Sequence, residues 1–302
     1  MSLLERRSAG LLVLEVKNAN PNGDVDANMP RHFISDGRGY ISPQSIKRKV
    51  RDMLVDHHSP VFEEIVKRMN LDPEAHFIYE SDDRGYEDVD PAKAVKLAIA
   101  LAESDPIAFL RRYYDVRIFG TTLLQKGTKK NKKGPEVEGE YDSFRLVKTG
   151  MVTFTIGESV SPIHIESTTT TKKSPVSEDR TDSMAPGGLT FVRHGIYVVR
   201  IGVCPNFSKK TGTTQADIDL LKFLLPKMFM NSVSCTRPAG SMNVLRCYWA
   251  DHKNPLGSFD ESEFYSSLTP KFLGGDEESI SAEQYEFPNE VRGAEVVDLC
   301  AA

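Results

Sequence analysis

The chain has 302 residues, a mass of 33.7 kDa and a formal net charge of −5, with 39% hydrophobic and 27% charged residues. This length can bury a substantial core, and the composition excludes a collagen, a disordered chain and a disulfide scaffold. The apolar runs are too short to span a bilayer, and the first eight residues do not resemble a signal peptide. Four cysteines without metal-type spacing predict a reduced, cytoplasmic compartment.

Charge is distributed unevenly along the sequence. Residues 259–302 contain 11 acidic and 2 basic residues, a net charge of −9, so residues 1–258 carry a net charge of +4. An acidic C-terminal segment can therefore accompany a basic working surface. A second basic feature is a run of five lysines between Lys126 and Lys133, and the neighbouring glycines and proline predict a surface loop there.

The first predicted elements are a strand and a helix. Leu11–Lys17 is rich in Leu and Val and predicts a strand, and the Asn- and Gly-rich run 18–28 predicts a polar turn. Ser42 suits the N-cap of a helix that has Pro43 at its first position. At 100° per residue, the apolar stripe of this helix is followed on one flank by three basic side chains, at about 100°, 140° and 200° from Ile46. These are Lys47, Arg51 and Arg48, whereas Lys49 points elsewhere.

The second half of the chain predicts three strands and another helix. Val152, Phe154 and Ile156 alternate with polar residues and predict a half-buried strand. Residues 159–194 are polar and without a core pattern, which predicts a functional loop or hairpin. The remaining predictions are a strand at Ile196–Val203, a helix that begins at Gln215 with Thr214 as its cap, and a last strand at Val244–Ala250.

The predicted order is strand, helix, strand, strand, helix, strand, with two insertions. This order predicts an α+β fold built on a ferredoxin-like split unit, which is also the architecture of the RNA-recognition motif. The aromatic consensus of that motif is absent from Ile196–Val203, so the fold alone does not assign a function.

The sequence predicts no enzyme, cofactor or bound metal. It lacks an HExxH, a GxSxG, a Walker lysine loop and a GxGxxG after a strand, and its seven histidines are scattered. Asp24, Asp26 and Asp36 lie in loops and can support metal-assisted phosphodiester cleavage, so a nuclease stays open as the alternative.

The basic residues favour nucleic-acid binding, but they also suit an ordinary solvated helix. The turn after the first strand supplies amides, the helix supplies an N-terminus and a Lys/Arg flank, and Arg237 lies in a late loop that can reach the same face. Without further information the two interpretations have about equal weight. A third alternative is a ferredoxin-like domain that binds a small molecule or a protein and no RNA.

Three motifs resemble one protein family. They are Asn18-Ala-Asn-Pro-Asn-Gly-Asp24, then Ile41-Ser-Pro-Gln-Ser-Ile-Lys-Arg-Lys-Val-Arg51, then Asp115-Val-Arg-Ile-Phe-Gly120. Together with Arg237-Pro-Ala-Gly-Ser-Met242 they are similar to the Cas-seven family, the CRISPR-associated backbone subunits of type I Cascade surveillance complexes, and closest to subtype I-C.

The resemblance implies a hand-shaped, RRM-like molecule and a function without catalysis. Several copies would line up head to tail on the CRISPR RNA guide, leaving bases free to pair with a target DNA strand, beside other Cascade subunits. The implied palm comprises residues 1–55, 151–158 and 195–258, with helical fingers and a basic loop in 56–150, an extended thumb hairpin in 159–194 and an acidic segment in 259–302. The alternative is a type III-like subunit that cleaves target RNA through a loop aspartate.

The resemblance also implies a set of RNA-binding residues, which includes four weaker thumb candidates. They are Asn20, Asn22, Ser42, Gln44, Lys47, Arg48, Arg51, Phe119, Gly120, Thr170, Lys172, Lys173, Met184, Arg237 and Ser241.

Overall fold

The computed structural model describes residues 2–24, 26–128, 140–172, 185–275 and 277–301. The elements up to residue 119 are β1 (Ser8–Ala19), β2 (Gly23–Asp24), β3 (Met29–Pro30), β4 (Arg38–Ile41), α1 (Pro43–Asp52), α2 (Pro60–Met69), α3 (Pro91–Ser104), α4 (Pro106–Arg112) and α5 (Tyr114–Phe119). The next are β5 (Gly120–Thr128), β6 (Glu140–Thr149), β7 (Val152–Phe154), β8 (Gly157–Pro162), β9 (Ile165–Lys172) and β10 (Ala185–Val203). The last are α6 (Ser208–Thr211), α7 (Gln215–Leu224), β11 (Met242–Asp251), α8 (Glu261–Leu268), β12 (Lys271–Phe272), β13 (Tyr285–Glu286) and β14 (Val297–Asp298).

The main sheet is antiparallel, and β1 lies inside it. β1 pairs with β10 along one side, from Ser8 opposite Val203 to Ala19 opposite Val192, and with β11 along the other side. β8 and then β4 extend the sheet beyond β10, and β14 extends it beyond β11. β7 and β9 also pair with β10, which is 19 residues long, so the predicted strand Ile196–Val203 is only its last part.

Both faces of β1 are buried, because its side chains alternate between two apolar clusters. Leu12, Leu14 and Val16 pack in one cluster with residues of α1 and α7. Leu11 and Val13 pack in a second cluster with residues of α8. Side chains two apart share a face of a strand, so the sheet has a helical face and a C-terminal face.

The helix starts predicted at Ser42 and Thr214 are both confirmed. The Ser42 hydroxyl accepts a hydrogen bond from the backbone N–H of Ser45, and Pro43 opens α1. Thr214 forms a capping box with Asp217 at the start of α7. α7 ends at Leu224 and continues as a short 3₁₀ turn that contains Pro226, in agreement with the break predicted there.

The strand predicted through Ile156 is wrong at its end. β7 stops at Phe154, and Ile156 is 43% exposed. Phe154 pairs with Ile201 and Glu158 pairs with Val198, so five residues on one side match four on the other. The extra residue reverses the alternation between β7 and β8 and turns Ile156 to solvent.

The acidic C-terminal segment covers the second face of the sheet. Phe264 and Leu268 of α8 are fully buried against it, and Tyr285 is nearly so. β14 adds a further strand beside β11, with Asp298 opposite Tyr248. A net negative charge therefore does not prevent this segment from contributing a full apolar layer.

A buried chain of hydrogen bonds fixes the C-terminal segment to the sheet. His194 Nδ1 lies 2.6 Å from Ser279 Oγ, and His194 Nε2 lies 3.3 Å from Glu15 Oε1. The Tyr285 hydroxyl donates to Ser279 Oγ at 2.7 Å and lies 2.8 Å from Ser161 Oγ. Burial lowers the pKa of His194, so its neutral ring can donate through one nitrogen and accept through the other.

The described residues of the range 56–150 include four α-helices, a short 3₁₀ helix and a two-stranded hairpin. β5 and β6 pair from Gly120 opposite Thr149 to Thr128 opposite Glu140. A separate cluster joins α3, α4 and α5 through Ala98, Phe109 and Tyr113. The basic loop predicted around Lys126–Lys133 lies largely outside the described residues. No helix in the described part of the chain is long and apolar enough to cross a membrane.

A buried ion pair joins these insertion helices to α7. Arg117 Nη2 donates to Asp217 Oδ1 at 2.8 Å, and both side chains are less than one-tenth exposed. Arg117 also donates to the carbonyls of Leu110, Arg111 and Ala75. One guanidinium thereby links α4, α5, α7 and the segment after α2, and its charge is compensated by a single carboxylate.

Asp217→Ala is expected to lower the free energy of unfolding by about 3–5 kcal/mol, because it leaves the Arg117 charge buried without its partner. Urea unfolding of the full chain measures this change. Asp219→Ala, an exposed position on the same helix, is the matched control and should change it by about 0.5 kcal/mol or less. Equal effects of the two variants would contradict the assigned role of the ion pair.

Candidate nucleic-acid interface

The loop after β1 is bound directly to the N-terminus of α1. Asn22 Oδ1 accepts a hydrogen bond from the backbone N–H of Ser42 at 2.8 Å, one residue before the helix begins. Ser42 in turn caps the helix through Ser45 N–H. No acidic residue lies in the first turn of α1, so its remaining N–H groups and positive dipole end face no side-chain anion from that turn.

The late loop 232–241 packs beside the loop after β1. The backbone N–H of Asn20 donates to Thr236 O at 2.8 Å, and that of Lys17 donates to Ser241 O at 2.8 Å. The predicted meeting of the two loops on one face is therefore confirmed as geometry. Ser241 is nearly buried, and its hydroxyl donates to Pro238 O at 2.6 Å, so it closes its own loop.

Lys49 is buried on α1, within electrostatic range of Arg237 on the late loop. Lys49 is 7% exposed, and burial, followed by the nearby Arg237 charge, lowers its pKa. Its carboxylate neighbour, Asp52, lies 3.8 Å away and also pairs with Arg48 at 2.6 Å. The single carboxylate therefore leaves local positive charge uncompensated at the junction of the loops.

Two buried polar atoms at the same junction have no hydrogen-bond partner among the described residues. They are Asn20 Oδ1 and Arg237 Nε. Buried polar groups are nearly always paired in folded proteins, so an unpaired one needs an explanation, such as local strain or a bound water, ion or ligand. A donor on Arg237 and an acceptor on Asn20 match a ligand that both accepts and donates hydrogen bonds, and the positive charge favours an anionic one.

A second group of residues surrounds Phe119. Lys47 Nζ lies 5.2 Å and Arg51 Cζ 5.3 Å from the centre of its ring, both within cation–π range. Burial, followed by the Arg51 charge, lowers the pKa of Lys47. The structure thus brings Lys47, Arg51 and Phe119 together.

Arg51 is less available than the sequence suggested. Its Nε donates to Asp115 Oδ2 at 2.8 Å, and Asp115 is 1% exposed. The same carboxylate also accepts from the backbone N–H groups of Tyr79 and Glu80. The three cations of the predicted flank therefore have different environments, since Arg51 holds α1 to α5 and Arg48 is paired with Asp52.

Gly120 lies next to this group and must be glycine for a backbone reason. Its φ is +78°, and a Cβ there would overlap the carbonyl oxygen of Lys148 on the paired strand. Any other residue would be strained both by the torsion and by this close approach. The need for glycine at this position is therefore explained by the start of the β5–β6 hairpin.

Lys49 was missed by the sequence analysis. On the helical wheel it lies about 60° from Ile46, on the opposite side from Lys47 and next to the apolar stripe. A lysine at the edge of an apolar stripe is a signal for a cation directed toward a neighbouring element. Which element it meets depends on the late loop, and no local pattern places that loop. Gln44 is exposed on the first turn of the same helix.

The thumb candidates are described only in part. Thr170 and Lys172 lie on β9, opposite Gly187 and Ala185 of β10, and their side chains lie outside the described set. Lys173 and Met184 fall outside the described residues. At the root of this hairpin, Arg193 donates to Asn18 Oδ1 at 3.2 Å, so β10 contacts the end of β1 through a side-chain hydrogen bond as well.

The aspartates of the nuclease alternative have structural partners. Asp24 Oδ1 accepts from the backbone N–H groups of Asp26 and Ala27, which lowers its pKa, and Asp24 Oδ2 lies 3.2 Å from Arg31. Asp36 accepts from the backbone N–H of Arg38. Within the described ranges, no group of three or more His, Cys, Asp or Glu side chains is arranged to hold a metal ion.

Lys49→Met is expected to raise the free energy of unfolding at pH 7 by about 1 kcal/mol, because it removes a buried charge next to Arg237. The pKa of Lys49 in the folded protein lies below its usual value of 10.5. The charge of Lys49 therefore lowers the free energy of unfolding most near neutral pH. The wild type regains that stability as the pH rises through the folded-state pKa toward about 10.5. Urea unfolding at pH 7 and pH 10 measures the difference, with the exposed Lys67→Met as control. A difference between wild type and variant that does not shrink at pH 10 would contradict this assignment.

Comparison with known proteins identifies the family. The family model for "CRISPR-associated protein Cas7" matches residues 6–289. A curated relative, the CRISPR-associated protein Cas7 of Haloferax volcanii, is 26% identical over 239 residues, covering 78% of this chain and 67% of its own length. A chain of a solved "CRISPR RNA-guided surveillance complex, pre-nicking" is 16% identical with a TM-score of 0.46, covering 92% of this chain and 86% of that one. A chain of another "CRISPR RNA-guided surveillance complex" is 15% identical with a TM-score of 0.38, covering 81% and 68%. Because the family model covers nearly the whole sequence, this chain belongs to the Cas7 family.

Proposed function

We propose that this chain is a non-catalytic backbone subunit of a type I-C Cascade surveillance complex in the cytoplasm. It binds the CRISPR RNA guide, and several copies line up head to tail along the spacer. The bases that it leaves free then pair with a target DNA strand, and other Cascade subunits complete the assembly. The sheet with α1 and α7 serves as a ferredoxin-like palm, the insertion as fingers and the β9–β10 hairpin as the thumb.

The observation that carries this proposal is the pair of unpartnered buried atoms where the two loops meet. Asn20 Oδ1 and Arg237 Nε lie on the two loops that the Asn20–Thr236 hydrogen bond joins, and the charge of Arg237 acts on the buried Lys49. A ribose–phosphate backbone supplies anionic oxygens for Arg237 and a hydroxyl donor for Asn20. The 2′-hydroxyl is the group that distinguishes RNA from DNA at such a position.

The N-terminus of α1 supports the same ligand. Its ten residues begin at a capped end without a first-turn acid, and Asn22 fixes the adjacent loop to it. A helix N-terminus presents backbone N–H groups and positive dipole charge to a phosphate. Contacts of this kind are independent of the base, as a subunit that serves any spacer requires.

Phe119 is an apolar residue next to that track. It is only 8% exposed, so little of it is open to contact with a nucleotide. Of the two cations beside its ring, Lys47 is the more available, because Arg51 is bound to Asp115. We infer that Lys47 contacts phosphate while Arg51 mainly positions α1 against α5.

Co-expression with a CRISPR array and the neighbouring subunits tests the function directly. Sequencing of the RNA that is purified with the chain should recover discrete spacer-containing guides, and native mass spectrometry should find several copies of the chain per guide. A monomeric protein that is free of nucleic acid and indifferent to the array would overturn the proposal in favour of a domain that binds no RNA.

The double variant Lys47→Gln, Arg237→Gln is expected to weaken binding of a single-stranded guide and to flatten its salt dependence. Each lost phosphate contact removes about 0.7 from the slope of log K against log salt, so the slope should fall by about 1 to 2 units. Filter binding between 50 and 200 mM salt is a suitable measurement. The exposed pair Lys67→Gln, Lys93→Gln on α2 and α3 removes the same charge elsewhere, and an equal loss of slope there would refute the site assignment.

An assembled complex supplied with Mg²⁺ and guide-complementary RNA is expected to leave that RNA intact. The supporting observation is that the Asp24 and Asp36 carboxylates are engaged by backbone N–H groups of their own turns. Gel analysis of labelled target RNA measures cleavage. Divalent-dependent cleavage that is lost in Asp24→Ala or Asp36→Ala would establish the type III-like alternative instead.

A further inference from the structure

A half-open cavity lies outside the proposed guide interface. It has a volume of about 670 Å³ and lies between the insertion helices and α7. Its apolar lining comes from the end of α2 and from α4, and includes Met69, Leu71, Ile107 and Leu110. Ile107 is 79% exposed although it points into an apolar site, so a partner that covers it would bury surface that now faces water.

The rim of this cavity is basic. Arg111 comes from α4, Lys148 from β6, and Lys209 and Lys210 from α6. Two exposed carboxylates also line it, Asp72, which pairs with Arg111 at 3.5 Å, and Asp219. Arg117 and Asp217 compensate one another, which leaves the rim with a net charge of about +2.

The cavity suits protein better than nucleic acid. A phosphate gains nothing from an apolar floor, and single-stranded bases bind by stacking on aromatic rings. In the part of the chain that the structure describes, no Phe, Tyr or Trp lines the cavity. The chemistry that fits is an apolar side chain flanked by acidic residues.

The chain carries such a group at another place on its surface. Ile280 is 72% exposed, and Glu277, Glu278 and Glu283 beside it are exposed as well. We call residues 277–283 the acidic turn. Its backbone is fixed, because Gln284 Oε1 accepts from Ile280 N–H at 2.7 Å and the preceding residue, Ser279, is bound to His194. A preorganised apolar group can dock with little loss of conformational entropy.

The cavity and the acidic turn lie on opposite sides of the sheet. α7, which lines the cavity, packs on the helical face, whereas the segment that carries Ile280 packs on the C-terminal face through Tyr285. One copy therefore cannot fill its own cavity with its own acidic turn. Two different surfaces on opposite sides of one subunit make a heterologous contact that repeats without closing on itself.

We propose that the acidic turn of one copy docks in this cavity of the next copy, with Ile280 on the apolar floor and its flanking glutamates facing the basic rim. The inference rests on the proposed line of copies along a guide and assigns two contacting surfaces to it. The interface would be formed without residues of α1 or of the loops that hold Asn20 and Arg237.

Substitution of the two apolar residues tests the contact. Ile280→Asp and Ile107→Asp should each weaken self-association of the full chain about tenfold or more, since both residues would sit at the centre of the contact. Sedimentation velocity without RNA, and the cooperativity of binding to a strand several sites long, measure it. Leu256→Asp, which is 94% exposed on another loop, is the control and should have no effect.

Charge reversal supplies a test that does not depend on loss of function. Lys209→Glu with Lys210→Glu makes the rim acidic, and Glu277→Lys with Glu283→Lys makes the turn basic. Each double variant alone should fail to self-associate because its own two surfaces repel. A one-to-one mixture should recover association, because each turn then meets a complementary rim on the other variant.

The outcomes separate this contact from guide binding. All of these variants should bind an oligonucleotide one site long with the affinity of the wild type. A wild-type chain that does not bind this oligonucleotide would count against the proposed function alone. The docking is overturned if Ile280→Asp and Ile107→Asp associate like the wild type, or if the mixture associates no better than its components. A wild-type chain that neither self-associates nor binds a long strand cooperatively overturns it as well.

Discussion

Burial of β1 on both faces is the constraint on which the rest of the structure depends. A strand that is apolar on both sides needs an apolar layer on each face. Here α1 and α7 pack on one face, and the acidic C-terminal segment packs on the other. Because both faces are covered, the polar segment that follows β1 lies at the end of the strand. The loop after β1, the N-terminus of α1 and the loop before β11 meet there, and Asn20 and Arg237 keep unpaired atoms at that junction.

The charged residues of this chain divide into those that hold the fold and those that are available to a ligand. Arg117 and Arg51 each have a buried carboxylate as partner, and removing either carboxylate would strand a charge in a low-dielectric interior. Lys49 instead has the like charge of Arg237 in its surroundings, and burial together with that charge lowers its pKa. A like charge beside a buried lysine costs stability in the free protein, and an anion bound at the proposed interface would relieve that cost.

The two proposed surfaces use different physics because their partners differ. The proposed guide interface combines a helix N-terminus, cations and unpaired polar atoms, groups that suit a repeating phosphate chain and do not require the reading of bases. The proposed contact between copies combines an apolar cavity with complementary charge around it, as protein interfaces do. Their separation on the molecule allows a bound strand and a neighbouring copy to be held at once.

The sequence by itself determined the local features. Ser42 and Thr214 mark helix starts through their side-chain oxygens, a run rich in Leu and Val marks β1, and the motifs around Asn20, Ser42 and Phe119 indicated the family. The tertiary structure decided the rest. Whether a cation is available depends on what packs beside it, so only the fold shows that Asp115 engages Arg51 and that the charge of Arg237 acts on Lys49. It also shows the acidic segment as a structural layer, because burial depends on contacts distant in sequence, and local periodicity does not contain them.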